Sequence, residues 1–191
     1  SHIMAQAVKD IFKDVKFGIG PTIENGFYYD FGLSQTLAPE DLPKIEKRMR
    51  ELMKQNIKFE KSFATKEQAK KIFAGQPYKL ELVSQKSKVK SQKLTVYKSG
   101  DFIDLCAGPH VKSTKEINPD AFKLTKIAGA YWHGDEKNPM LQRIYGVAFN
   151  TKKELDNYLK QQEEAEKRDH RIIGQKLDLF SIDEEVGPGL I

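Results

Sequence analysis

The stretch that most restricts the fold is Pro39 to Gln55, where Leu42, Ile45, Met49, Leu52 and Met53 recur among charged residues. That spacing draws one apolar stripe along a helix, and the stripe must be buried against another apolar surface. Strand-like segments on both sides can supply it. "VKFGIGPTI" and "NGFYYDF" come before, punctuated by the turn pairs Gly20-Pro21 and Asn25-Gly26. "KFEKSFA", in which Phe59 and Phe63 alternate with charges, comes after, followed by "AFKLTKIAGAYW" and "MLQRIYGVAF". "LTVYKSG" and "DFIDL" predict a hairpin around Ser99-Gly100. Two further helices are predicted. One spans Ala5 to Phe12, with Ala7, Val8, Ile11 and Phe12 at helical spacing; the other starts at the capping box Thr65-x-x-Gln68 and runs through Phe73. Strands flank helices without a βαβ rhythm, so the class is α+β: an antiparallel sheet with packed helices.

Residues 1–150 therefore read as one body. From Thr151 the chain turns to strong helix formers with few apolar residues, which predicts a solvated linker helix over 151–175, with 176–191 opening a further domain. The hydrophobic content of 39% can fill a real core, and a net charge of +5 permits a polyanionic partner without requiring one. A single cysteine excludes an internal disulfide. No apolar window is long enough to span a membrane and "SHIMAQAV" is no signal peptide, so a cytoplasmic location is the default. Gly18-x-Gly20 is followed by Pro21, whose missing N–H excludes a phosphate-cradling loop. The run "SQKSKVKSQK", with Lys86, Lys88, Lys90 and Lys93, is a solvated loop or one that contacts phosphates.

Chemistry concentrates in "DLCAGPHV". Cys106 and His110 flank a Gly-Pro turn, and in a strand Asp104 and Cys106 would point to the same face. Three readings fit a Cys-x-x-x-His of this kind: two ligands of a zinc site that needs three or four, a nucleophile with its base, or a packed thiol beside an unrelated imidazole. Spacing alone favours the third. Lys79, between Tyr78 and Leu80 in "PYKLELV", alternates with apolar neighbours as in a strand and reads as a solvent-facing lysine. Tyr28 and Tyr29 read as core and edge aromatics, and His133 and His170 as surface residues.

Four blocks taken together change the weighting. "GIGPTIENGFYYDF", "DLCAGPHV", "AGAYWHGDEKNPMLQRIYG" and "EKRDHRIIGQKLDLF" resemble, in order and spacing, the N-terminal editing region of bacterial-type threonyl-tRNA synthetases. The second additional domain of that region is shared with alanyl-tRNA synthetases and their stand-alone editing relatives; "GFYYD" and "MLQRIYG" favour the threonyl type. The resemblance covers essentially the whole chain. It implies an editing cleft and hydrolysis of mischarged seryl-tRNA(Thr), since a missing methyl changes binding by only about 1–3 kcal/mol.

By the same resemblance the cleft pairs Cys106 and His110 with a His-x-x-x-His on the first helix. Of that motif His2 is present, and its earlier partner would fall before Ser1. The family's editing lysine corresponds to Lys79, its aspartate to Asp104 and its tyrosine to Tyr29. Ala107 and His133 stand where many members carry arginine, a departure that would touch tRNA backbone contacts. The resemblance implies water attack on the seryl ester, with His110 or Lys79 as base or Lys79 as oxyanion partner. Asp104 would hold the substrate ammonium, while Tyr29, His2 and Cys106 orient ester and water. It implies no metal in this region, with ATP, magnesium and a zinc ion belonging to a catalytic domain beyond Ile191. The partner implied is the tRNA(Thr) acceptor end with its seryl ester. A monomer is expected for this region, and a homodimer for the full-length enzyme. Two alternatives remain: an acceptor-end binding module without catalysis, and a zinc-dependent deacylase of the alanyl type.

Overall fold

The computed structural model describes residues 1–86 and 93–168. The chain divides into a unit of Ser1–Lys152 and a second unit that follows it. In the first unit, helix α1 (His2–Ile11) leads into short strands β1 (Lys16–Phe17) and β2 (Thr22–Ile23) and the longer β3 (Gly26–Gly32). Helix α2 (Asp41–Lys54) precedes β4 (Phe59–Ala64), α3 (Lys66–Ile72) and α4 (Pro77–Lys86). Strands β5 (Leu94–Ser99), β6 (Phe102–Leu105), β7 (Phe122–Tyr131) and β8 (Met140–Ala148) complete it.

The class is α+β, but the strands make two antiparallel sheets, not one. The five-stranded sheet has the order β1-β3-β8-β7, with β2 also on β3; the three-stranded sheet runs β4-β5-β6. The stripe on α2 goes where its period demands: Ile45, Met49 and Leu52 are buried in one cluster with Met4 and Val8 of α1 and with Phe27, Tyr29, Phe31 and Ile144 of the larger sheet. A second cluster packs Ala69, Phe73 and Val83 of α3–α4 against Ala64, Leu94 and Val96 of the smaller sheet. The β5–β6 hairpin turns at Gly100 as its Ser-Gly pair predicts, with Ser99 facing Phe102. The capping box also forms in full: Gln68 N–H donates to Thr65 Oγ1 at 3.2 Å, and Thr65 N–H to Gln68 Oε1 at 2.8 Å.

Three expectations change. "VKFGIGPTI" does not run as one strand, because Gly18–Pro21 separates β1 from β2. Pro21 has no N–H to offer a ladder, and Gly20 lies so close to the Tyr29 ring that a Cβ there would overlap it. Phe63 on β4 remains 62% exposed, so the alternation of "KFEKSFA" marks a strand without marking a buried face. "PYKLELV" is helical: Pro77 occupies the first helical position, where its fixed φ and missing N–H are tolerated. The alternation around Lys79 imitates a strand, but on the helix Tyr78 and Leu82, four residues apart, share a face while Leu80 lies on another.

The second unit contributes α5 (Lys152–Lys167), solvated along most of its length, with Lys167 donating to Glu163 at 2.6 Å. Residues 169–191, and with them His170, the end of the expected linker and the segment 176–191, lie outside the described residues, as do residues 87–92 with Lys88 and Lys90 of the lysine run. No helix among the described residues is long and apolar enough to cross a membrane.

Candidate active site

Asp104 enters at the centre of the site because β6 pairs antiparallel with β5, which sets it opposite Tyr97 and points it inward. The carboxylate is 2% exposed. Its Oδ1 takes the Lys79 ammonium and the Leu105 N–H at 2.7 Å; its Oδ2 takes the Tyr29 hydroxyl at 2.7 Å and His2 Nε2 at 3.2 Å. A carboxylate offers about four acceptor positions, and all four are filled by protein donors. Asp104 was expected to hold a substrate ammonium; in this arrangement it has no position left for one.

Lys79 departs most from what its own segment predicts. It is 2% exposed, not solvated, and its ammonium sits 5.3 Å from the centre of the Tyr29 ring. The helix does this: α4 turns Lys79 inward while Leu80 and Val83 pack on the smaller sheet. Four elements thus converge on one carboxylate: α1 with His2, β3 with Tyr29, α4 with Lys79, and β6 itself.

Beyond Asp104 the chain leaves the strand, with Cys106 N–H still donating to Thr95 O at 3.2 Å. Gly108 follows with φ +78, and the Gly108–Pro109 peptide is cis. A Cβ at Gly108 would collide with the Tyr97 hydroxyl, so the loop can lie flat on that ring only as glycine. His110 then stacks on Tyr97, 4.0 Å between ring centroids, and lies 4.4 Å from His2 and 5.6 Å from Phe59. Tyr97 and Phe59 are the wall residues that sequence reasoning missed; the alternation in "LTVYKSG" could have placed Tyr97 on the face shared with Asp104.

The electrostatics follow from this packing. Burial alone would raise the Asp104 carboxyl, but the Lys79 ammonium and the His2 hydrogen bond hold it well below the usual carboxylate range. Burial lowers the His2 imidazole, and its contacts with Asp104 and Cys106 outweigh that and raise it. Burial would likewise raise the Cys106 thiol. Hydrogen bonds from His110, His2 and the Gly108 backbone bring it instead to about 5, so the sulfur is a thiolate at neutral pH. Burial first, and Asp104 next, push Tyr29 well above the ordinary phenol value, keeping it a donor.

Two cavities open onto the group. One of about 640 Å³ is lined by His2, Phe59, Cys106, His110 and the Gly20–Thr22 segment. A smaller one of about 260 Å³ reaches Lys79 and Asp104. Cys106 and His2 line both. Tyr29 lines neither, so it acts on the site only through Asp104 and Lys79. The ligand atoms of His2, Cys106 and His110 lie within 4.8 Å of one another, and the Nδ1 atoms of both histidines are buried without a partner. Two imidazoles and a thiolate match the donor set of an open three-ligand zinc site, one short of a closed structural one. His133 is surface-exposed as expected, but its Nε2 lies within hydrogen-bond distance of Glu81 Oε1, at 2.9 Å.

Residues 94–145 match the model of the threonyl and alanyl tRNA synthetase second additional domain. That segment includes Asp104, Cys106 and His110. Over all 191 residues the chain is 54% identical to a threonine–tRNA ligase of Dehalococcoides mccartyi and 52% identical to one of Borreliella burgdorferi, covering 32% of each. A threonine–tRNA ligase of Citrifermentans bemidjiense is 54% identical over 193 residues, with 30% of it covered. The chain thus spans about a third of the length of the curated relatives it matches.

Proposed function

We propose that this chain, which belongs with the threonyl-tRNA synthetases along its whole length, is an editing domain that hydrolyses the ester of seryl-tRNA(Thr). The observation that carries the reading is the convergence of Lys79, Asp104, Cys106, His2 and His110 on one cleft open to solvent. In the reaction a water oxygen bonds to the ester carbonyl carbon and its proton passes to His110, which lines the larger cavity. Lys79 is already ion-paired, so it serves as the fixed positive charge that receives the developing oxyanion, not as the base. The bond from carbonyl carbon to ribose oxygen then breaks, and His110 returns the proton to that oxygen.

Asp104 acts one step back. It aligns Lys79 and His2, and Tyr29 in turn aligns Asp104. The seryl ammonium is assigned to Cys106, the anionic group left facing both cavities once Asp104 is saturated. The acceptor end of tRNA(Thr) is the partner this reading requires. The whole synthetase would add ATP, magnesium and zinc elsewhere, and dimerise there.

The test is deacylation of seryl-tRNA(Thr), seryl-tRNA(Ala) and threonyl-tRNA(Thr) by the chain and by Lys79→Ala and His110→Ala. Seryl-tRNA(Thr) alone should be hydrolysed, and both variants should lose most of the rate. Binding of the acceptor end without turnover would reduce the chain to a recognition module. Hydrolysis here is proposed to need no resident metal, so chelator-treated protein should keep its rate. The His2, Cys106 and His110 triad supports a second reading: a rate lost to chelation and restored by zinc would make this an alanyl-type zinc deacylase.

A further inference from the structure

Lys79 can meet Asp104 only if α4 is held at the right depth and rotation, and the structure holds it at two points, one on either side of Lys79. At its start Gln76 uses its side-chain amide as a strand partner. Its Oε1 accepts Phe17 N–H at 2.9 Å and its Nε2 donates to Val15 O at 3.0 Å, docking the helix on the edge of the five-stranded sheet. Two residues past Lys79, Glu81 reaches the turn between β7 and β8. Its Oε2 accepts Trp132 Nε1–H at 2.7 Å, and its Oε1 meets His133 Nε2 at 2.9 Å and Gln85 Nε2 at 2.9 Å. Trp132 is 4% exposed and lies 4.9 Å from the Tyr78 ring. His133 takes φ +57 in this turn, which stands it beside Trp132 so that both face one carboxylate.

The two attachments lie on the large sheet, whereas Asp104 belongs to the small one. Lys79 therefore joins the sheets, and the depth of its reach is set by residues that never approach substrate. We propose that Glu81, with Gln76, is a positioning residue of the site: the grip of Glu81 on Trp132 and His133 fixes α4 so that Lys79 is delivered to Asp104. This rests on the role given to Lys79 in ester hydrolysis above. It also gives His133, at a position expected to contact tRNA, a partner within the protein.

The experiment uses the full chain with Glu81→Ala, Glu81→Gln and Trp132→Phe. Three readouts are used: kcat and KM for seryl-tRNA(Thr), acylation of the Lys79 amine by an activated ester followed by mass spectrometry, and, in the two Glu81 variants, emission of Trp132, the single tryptophan. Glu81→Ala should lower kcat about 10- to 100-fold, with KM nearly unchanged, because a small misplacement of a reacting group costs that much. It should also expose Lys79 to acylation while leaving the already solvated Lys44 unaffected, and shift the Trp132 emission. Glu81→Gln keeps a carbonyl for Trp132 and should restore most of the rate. Trp132→Phe removes the donor together with part of the ring but leaves the Glu81 carboxylate in place, and should fall in between, which covers failure of Glu81→Ala to fold. Unchanged Lys79 acylation in both folded variants overturns the proposal. Raised acylation with a parental rate upholds the grip and removes Lys79 from the chemistry, so the two ideas fail separately.

Discussion

Glu46 and Asp104 are both buried carboxylates, 4% and 2% exposed, yet their surroundings differ in kind. Glu46 projects from α2, accepts Leu124 N–H at 2.9 Å and takes Arg50 at 3.2 Å and Lys123 at 3.1 Å. Those cations keep 34% and 46% of their side chains in solvent, and Arg50 lies over the Phe122 ring. Asp104 instead draws Lys79 and His2 under cover to 3% and 4%. Drawing both signs of charge out of water costs more than a hydrophobic contact of equal volume would. Glu46 fastens a helix to a strand with counter-ions that stay hydrated. Asp104 maintains a desolvated charge array beside the cleft.

The largest expected effect follows from removing the sequestered cation. Lys79→Ala leaves Asp104 buried beside an unfilled position, so stability should fall by about 3–5 kcal/mol and ester hydrolysis should drop to background. Denaturant midpoints and single-turnover deacylation measure the two. A Lys79→Ala protein as stable as its parent would mean that water already solvates Asp104, and the contrast with Glu46 would collapse. Tyr29→Phe is the next step down. It deletes one hydrogen bond to a charged acceptor and should cost about 1.5–3 kcal/mol. It should also lower kcat more than it raises KM, since Tyr29 acts through Asp104 and does not line either cavity.

How far this contrast was legible in the sequence depended on whether a residue's role is set by its own segment. The α2 stripe, the capping box at Thr65 and the turn at Gly100 each depend on neighbours within a few positions, and each forms where its pattern places it. The Asp104 cluster does not. Its donors come from positions 2, 29 and 79, joined only when two sheets and two helices are assembled. Within its own segment Lys79 resembles a solvated lysine on a strand, and nothing in "PYKLELV" records the carboxylate it will meet. Cys106 and His110 were visible as a pair, but Tyr97, which stacks on His110, and Glu81, which grips the turn beyond β7, belong to contacts between elements. The family resemblance supplied what local pattern could not, because it carries the outcome of the assembly.

Acid should act through Asp104 with a smaller effect. The Asp104 carboxyl is held below its unfolded value, so the unfolded chain takes up the proton first as pH falls. The stability this confers is complete above the ordinary carboxylate range and is lost as pH drops through that range towards the folded value. His2 works with the opposite sign: its raised value adds stability below the ordinary imidazole range and loses it as pH rises through the folded one. Thermal midpoints of the parent should therefore fall steeply in acid, whereas Asp104→Asn, already weaker at neutral pH, should give a flatter acid limb. Equal limbs would show that the depression of Asp104 does not reach the folding equilibrium.

The smallest effect is the one that makes the comparison exact in its terms. Lys123→Ala removes a cation from Glu46, as Lys79→Ala does from Asp104, but Lys123 is half in water and Glu46 keeps the Leu124 N–H and Arg50. An exposed ion pair of this sort contributes below about 1 kcal/mol, and raised salt should erase most of it. Hydrolysis of seryl-tRNA(Thr) should stay at the parental rate, because α2 touches the cleft through none of the residues that line it. Salt is the sharper instrument here. It should leave the Lys79 deficit standing while closing the Lys123 one, since screening acts through solvent and Asp104 is shut away from it. Were both deficits to vanish in salt, burial would not be the variable that separates the two carboxylates, and Lys79 would have to be regarded as a solvated residue after all.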